Sequence, residues 1–222
     1  MNFYENQLFH IYNQGNNKRQ LFFSDDNYQF FLWKMRANLL PFGDIVAWCL
    51  MPNHFHWLFY VRRVTVSRED FRKFVDDIEF QRRQQKYKQA KPVNKFHQRS
   101  ADKDKPITLG EAIGILQKSY AKALNKEKGW SGSLFRKNCK AKDGWVDDFI
   151  TVQKNGKDDF RFLPGTEYAH TCFCYIHQNP VVANIVKEES DYNWSSAKEY
   201  SGQRKGTLCN IELGNFLGLY SG

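Results

Sequence analysis

The chain has no run of about 18 consecutive apolar residues, the least a membrane-spanning helix needs, and its N-terminus lacks the charged-then-apolar order of a signal peptide. Both absences lead to the expectation of a cytoplasmic protein with no membrane partner. Cysteine is sparse: Cys49, Cys139, Cys172, Cys174 and Cys209 are odd in number and contain no Cys-x-x-Cys pair. That argues against a disulfide scaffold and against a thiolate zinc site, and leaves reduced core thiols as the expectation. Acidic residues are also in deficit. With 24 Asp and Glu against 33 Lys and Arg the formal net charge is +9 and the pI about 9.2, a balance that suits a polyanionic partner. Much of the excess is local, because Gln81 to Lys105 holds nine Lys or Arg against two Asp, a net +7.

What is present is enough for one substantial core: 222 residues, 41% apolar and 16% aromatic. Leu8 to Asn13 has strand character and stops at Gln14-Gly15-Asn16-Asn17, a turn-forming cluster. Asp25 or Asp26 can cap a helix through about Leu40, since Tyr28, Phe31, Leu32, Met35 and Leu39 recur at helical spacing. Asp44 to Leu50 and His54 to Val61 read as two strands of a hairpin joined by Met51-Pro52-Asn53. A basic insertion follows at about residues 62–105, with a helix near Ser67 to Phe80 and then a polar, low-complexity stretch from Gln81 to Gln89. Thr108 and Glu111 make a capping box for a second core helix carrying Ile113, Leu116, Tyr120 and Leu124, and Ser133-Leu134-Phe135 opens a fourth strand.

The order β-α-β-β-α-β predicts an α+β, ferredoxin-like split β-α-β antiparallel sheet with helices on one face and the other face free for a site. An added helix runs from near Thr166 and ends by Asn179, because Pro180 disfavours helical geometry in the residue before it. The domain is expected to span residues 1–200, with 201–222 as a C-terminal tail.

Two motifs carry chemistry. In His54-Phe55-His56 an apolar residue separates two histidines on a strand, so both imidazoles share one face, which is half of a metal site. In Tyr175-Ile176-His177-Gln178-Asn179-Pro180 the phenol and the amide lie about 40° apart on one side of a helix, while Ala169, Phe173 and Ile176 form a separate apolar stripe. His177 points about 160° from Asn179 and is a poor ligand candidate. His10 falls beside the histidine pair and reads as structural or DNA-contacting. Tyr120, Tyr168, Tyr192 and Trp194 read as packing residues. Two imidazoles and an amide are neutral donors that suit Zn²⁺, Ni²⁺ or Mn²⁺ on ligand chemistry alone.

Tyr12-Asn13-Gln14-Gly15-Asn16, Met51 to His56, Gly132-Ser133-Leu134-Phe135, Tyr175 to Val181 and Asp191 to Ser196 together resemble the single-tyrosine HUH transposases. Among these the chain is most similar to the REP-associated tyrosine transposase branch, over roughly residues 8–200. The resemblance implies a metal-dependent nuclease and strand transferase acting on single-stranded or hairpin DNA through a 5′-phosphotyrosine intermediate. It puts Tyr175 in the nucleophile position, His54, His56 and Asn179 in the ligand positions, and Mg²⁺ or Mn²⁺ in the site. Insertion-sequence relatives commonly have glutamine where this chain has Asn179, as the REP-associated branch does. Candidate DNA contacts are Arg82, Arg83, Lys86 and Lys88 in the insertion and Arg136, Lys137 and Lys140 along the fourth strand. The insertion is equally readable as a solvated loop. A non-cutting hairpin binder of the same fold is the rival reading, and a homodimer with the tyrosine helix serving either subunit stays open.

Overall fold

The computed structural model describes residues 2–86, 105–143 and 168–220. The elements in chain order are β1 (Gln7–Gln14), α1 (Asp25–Leu39), β2 (Gly43–Met51), β3 (His54–Val61), β4 (Thr65–Val66), α2 (Arg68–Lys86), β5 (Ile107–Thr108), α3 (Leu109–Lys128), β6 (Lys140–Asp143), α4 (Tyr168–Val182), α5 (Ala197–Tyr200) and α6 (Ile211–Phe216). The main sheet has the order β2-β3-β1-β6 and is antiparallel throughout, as a ferredoxin-like split β-α-β requires.

Alternation along β3 decides the layers. Phe55, Trp57 and Phe59 go to one face, where Phe31 of α1 meets Phe55 and Trp57 at ring distances of 5.4 and 6.0 Å and Tyr120 of α3 at 4.9 Å. Each of these aromatic side chains is fully buried, worth about 2–3 kcal/mol apiece on transfer from water. His54, His56 and Leu58 go to the other face, in register with His10, Tyr12 and Gln14 of β1. The capping box is realised at α3: the Thr108 side chain accepts from the Glu111 N–H, and the Glu111 carboxylate accepts from the Thr108 N–H at 2.8 Å. The β4–β5 pair sets that cap at the foot of the insertion.

Four expectations are corrected. The helix of the insertion does not stop near Phe80 but runs to Lys86 and packs on α1, with Lys34 and Arg82 both ion-paired to Glu79. Those pairs and the stacking of Arg82 over Phe30 give the polar end a partner that periodicity does not reveal. The fourth strand begins at Lys140 rather than Ser133. Phe135 bridges Gly15, a register that would put Asn138 opposite Tyr12, yet Lys140 lies there, so two extra residues bow out between the bridge and β6.

The tyrosine helix passes through Pro180 and ends two residues later, at Val182. Asn184, at φ 55°, closes it with Asn184 N–H to the Val181 carbonyl and Ile185 N–H to the Pro180 carbonyl. A proline in the last turn forfeits only its own bond, which the following turn outweighs. The second sheet face is not free either: α4 lies across β2 and β3, burying Tyr168, Cys172 and Ile176, with His54 and Asn179 half-buried at one end.

β2 is an edge strand of the sheet, and the C-terminal segment covers that edge. Leu50 N–H donates to the Trp194 carbonyl, Ser196 N–H to Trp48 and Asn210 N–H to Ile45, while Tyr192 and Tyr200 hydroxyls donate to Leu50 and Val46 carbonyls at 2.8 Å each. Beyond residue 200 the chain carries α6 and buries Leu208 and Leu219 against the body. None of the five cysteines forms a disulfide, and no helix among the described residues is long and apolar enough to cross a membrane.

Candidate functional site

The β2–β3 connection is a two-residue turn, Pro52-Asn53, and the loop after β1 clamps it. Leu21 and Phe22 N–H groups donate to the Pro52 carbonyl at 2.7 and 3.1 Å, and Gly15 N–H donates to Asn53 at 2.9 Å. Any side chain at Gly15 would collide with the Arg19 carbonyl, so this close approach needs glycine. The turn therefore delivers Asn53 and His54 to a fixed place. Asn53 Nδ2 donates to the Lys18 carbonyl at 3.4 Å, which turns Oδ1 to His54 Nδ1 at 2.6 Å. With its proton on Nδ1, His54 presents the Nε2 lone pair to Asn179 Oδ1, 3.4 Å away.

Asn179 is fixed from the other side, since its Nδ2 donates to the Tyr175 carbonyl at 2.8 Å and so aims Oδ1 at His54. A nitrogen and an oxygen lone pair facing each other at this spacing could serve as two ligands of one cation. For bonds of about 2.1 Å the separation corresponds to an angle of about 110° at the ion, and an octahedral ion draws the pair to about 3.0 Å. His56, the second imidazole of the motif, stands edge-on to His54 with ring centres 5.0 Å apart.

Tyr175 reaches the same place from α4. Its half-buried ring stands edge-on to His56 at 5.2 Å and to His10 at 5.9 Å. Burial raises its pKa above the usual phenol value, partly offset by a hydrogen bond with the Asn179 side chain. Phenol, amide and both histidines thus meet within one chain. Burial likewise holds His56 well below the usual imidazole range, helped by the neighbouring His10 and His54, and holds His10 down to about 3, with Lys142 adding to the effect.

Among the described residues no group of three or more His, Cys, Asp or Glu could hold a metal. The groups that could hold a cation are two imidazole nitrogens and a carboxamide oxygen, all neutral. Such a set would leave a divalent ion positions for phosphate oxygens and water, and on ligand chemistry it suits Mn²⁺ more readily than Mg²⁺.

The site opens into a cavity of about 870 Å³. Its walls include Tyr12, Gln14, Lys18, Asn138, Arg136 and Lys140 beside the four residues above. Arg136 keeps the register of the Phe135 bridge, its N–H donating to the Gln14 carbonyl, and Lys140 lies opposite Tyr12 after the two extra residues. Lys137 is exposed between them and does not line the cavity. Arg82 and Arg83 lie on α2 and are not part of it: Arg82 is held by Glu79 and Phe30 on the α1 side, and Arg83 Nε donates to the Glu79 carbonyl. Lys86 ends α2, and Lys88 lies outside the described residues. His177 is buried and bonded to Ser196 Oγ at 2.7 Å, away from the site. Trp194 stacks on Tyr28 at 4.5 Å, in the packing role expected of it.

Sequence reasoning placed His10 beside the pair without giving it a partner, and passed over Asn53. His10 Nε2 is 2.9 Å from His56 Nδ1, both rings buried. The signal for His10 was its alternation with Tyr12, which needs the β1–β3 register to be read. Asn53 was in plain view within the motif, but its contact with His54 is set by the loop that pulls on its amide.

No protein-family model and no curated protein matches the chain. Among solved structures it is similar to a REP-associated tyrosine transposase bound to a REP hairpin, with a TM-score of 0.52 and 12% sequence identity over 95% of this chain and 92% of that one. At that identity the likeness shows the fold alone, an α+β architecture shared across nearly the whole length of both chains.

Proposed function

We propose that this protein cleaves and rejoins single-stranded DNA carried on a hairpin, through a covalent bond to Tyr175 and with a divalent cation, Mg²⁺ or Mn²⁺, on His54, His56 and Asn179. The observation that carries the reading is the convergence of His54 Nε2 and Asn179 Oδ1 at 3.4 Å beside the half-buried phenol. Support also comes from a fold shared with a transposase solved with a DNA hairpin. The rim adds the right charge, since Lys18, Arg136 and Lys140 border the cavity and can track phosphates.

In the reaction the Tyr175 oxygen bonds to phosphorus as the bond from phosphorus to the 3′ oxygen breaks. The phenol proton leaves to solvent and the departing oxygen takes one up, giving a 5′-phosphotyrosine and a 3′-OH. Attack by another 3′-OH reverses the step and joins a new strand, with no nucleotide cofactor. A raised pKa makes Tyr175 a poor nucleophile by itself. When bound, the cation supplies positive charge that favours the phenolate and neutralises the phosphate oxygens. The Asn179 side chain lies between His54 and Tyr175 and hydrogen-bonds the phenol, whose ring stands edge-on to His56. All four groups come together within one chain, which favours a tyrosine acting in its own subunit.

The test is incubation with a labelled hairpin oligonucleotide and Mn²⁺. A covalent adduct that resists denaturation and is lost in Tyr175→Phe supports the enzyme. Tight hairpin binding with no adduct at any divalent cation would turn the conclusion to a non-cutting binder of the same fold.

A further inference from the structure

His10 and His56 are both buried, with relative exposures of 4% and 5%, and share a hydrogen bond of 2.9 Å across paired strands. Two buried imidazoles are an expensive way to fill space, because each ring nitrogen withdrawn from water needs a partner and an apolar side chain would need none. A bond between two neutral imidazoles also has only two forms: either His56 donates from Nδ1 and His10 accepts, or the reverse. The two forms differ at the other end of the His56 ring. Donation from Nδ1 leaves a lone pair on Nε2, whereas acceptance at Nδ1 puts the proton on Nε2 and removes the lone pair.

We infer that His10 is a positioning residue that accepts the Nδ1 proton of His56, so fixing the tautomer and ring plane in which His56 Nε2 is a ligand atom. Asn53 does the same for His54, accepting its Nδ1 proton at 2.6 Å. The two ligands thus have separate supports of different kinds, a turn amide and a strand imidazole. His10 is not itself a third ligand, since its Nε2 is taken up by His56. The Tyr175 ring, edge-on to both imidazoles, further restricts His10 to this orientation.

Long-range proton–nitrogen NMR on the metal-free protein reads the tautomer directly and does not depend on the proposed function. His56 is expected as the Nδ1–H form in the wild type and in His10→Gln, whose side-chain oxygen can accept the same proton, and as the Nε2–H form in His10→Leu. A wild-type His56 protonated on Nε2 overturns the inference without any variant being made. The second arm rests on the metal-site reading above: titration with Mn²⁺ alone, followed by electron paramagnetic resonance. His10→Leu should bind Mn²⁺ about 10–100-fold more weakly. His10→Gln should stay within about threefold of wild type, and thermal unfolding should show all three folded. Equal affinity in the Leu variant overturns the inference alone. A wild type whose Mn²⁺ binding is unaffected by His54→Ala overturns the metal site, and the inference with it.

Discussion

Asn179→Asp is the substitution that separates a ligand amide from one that merely caps its own helix. The present side chain does two things at once: Nδ2 donates to the Tyr175 carbonyl at 2.8 Å and Oδ1 faces His54 Nε2 at 3.4 Å. Aspartate keeps the length and the oxygen toward His54, but sets a second carboxylate oxygen against the Tyr175 carbonyl. Without metal the variant loses a hydrogen bond and gains an oxygen–oxygen repulsion, about 1–3 kcal/mol for a partly buried group. For a chain of this size that is a fall of about 2–10 °C in Tm. With Mn²⁺ the sign reverses, because a carboxylate ligand adds charge where the native site has none. At about 100 times its Kd, Mn²⁺ returns about 2.7 kcal/mol, enough to erase the deficit. Differential scanning fluorimetry at about pH 8, where ordinary imidazoles are neutral, compares wild type, Asn179→Asp and Asn179→Leu with and without Mn²⁺. Aspartate should show the largest Mn²⁺-dependent rise and leucine none. Equal responses in wild type and Asn179→Leu would refute the assignment of Asn179 as a ligand; an aspartate variant as stable as wild type before metal is added would refute the role given to the Tyr175 carbonyl bond.

Arg136→Ala and Lys140→Ala should each weaken hairpin binding and lower the slope of log affinity against log salt by about 0.7–0.9, measured by fluorescence anisotropy. Arg82→Ala should leave both quantities unchanged and lower Tm instead, because Arg82 is engaged with Glu79 and Phe30. A loss of DNA affinity in Arg82→Ala as large as in Arg136→Ala would put the DNA path over α2. His177, whose pKa burial lowers to about 3, makes stability pH-dependent in one direction. The unfolded chain takes up a proton near pH 6.5 that the folded chain refuses, so the contribution is present above that pH and is lost on acidification toward 3. The slope is about 1.4 kcal/mol per pH unit. Urea unfolding at pH 7 and pH 5 should show His177→Gln losing roughly 2 kcal/mol less than wild type over that interval, and equal losses would remove His177 as the cause.

The parts of the fold legible in the sequence are those decided within a few residues. β3 runs over His54–Val61 because alternation between the histidine face and the aromatic face is complete there, and α3 starts where Thr108 and Glu111 satisfy each other's backbone. The parts not legible depend on a partner far along the chain. Gln81 to Lys86 is polar enough to read as a loop, and its helix is held by Lys34 and Phe30 of α1, about fifty residues earlier. Pro180 reads as a stop, yet the helix closes beyond it on Asn184. The site follows the same division. His54, His56, Tyr175 and Asn179 stand out because each pair is set by local periodicity, whereas His10 acquires its role only when register places Tyr12 opposite His56 and so turns His10 to the same face. Candidate ligand atoms, being repeated at fixed spacing on one element, leave a pattern in sequence; the groups that contact them come from neighbouring strands and turns and leave none. The asymmetry explains why Asn53, adjacent to His54, was as hard to assign as His10, 46 positions from His56: Asn53 is turned by the Lys18 carbonyl of the loop after β1, and His10 meets His56 only across the β1–β3 pairing.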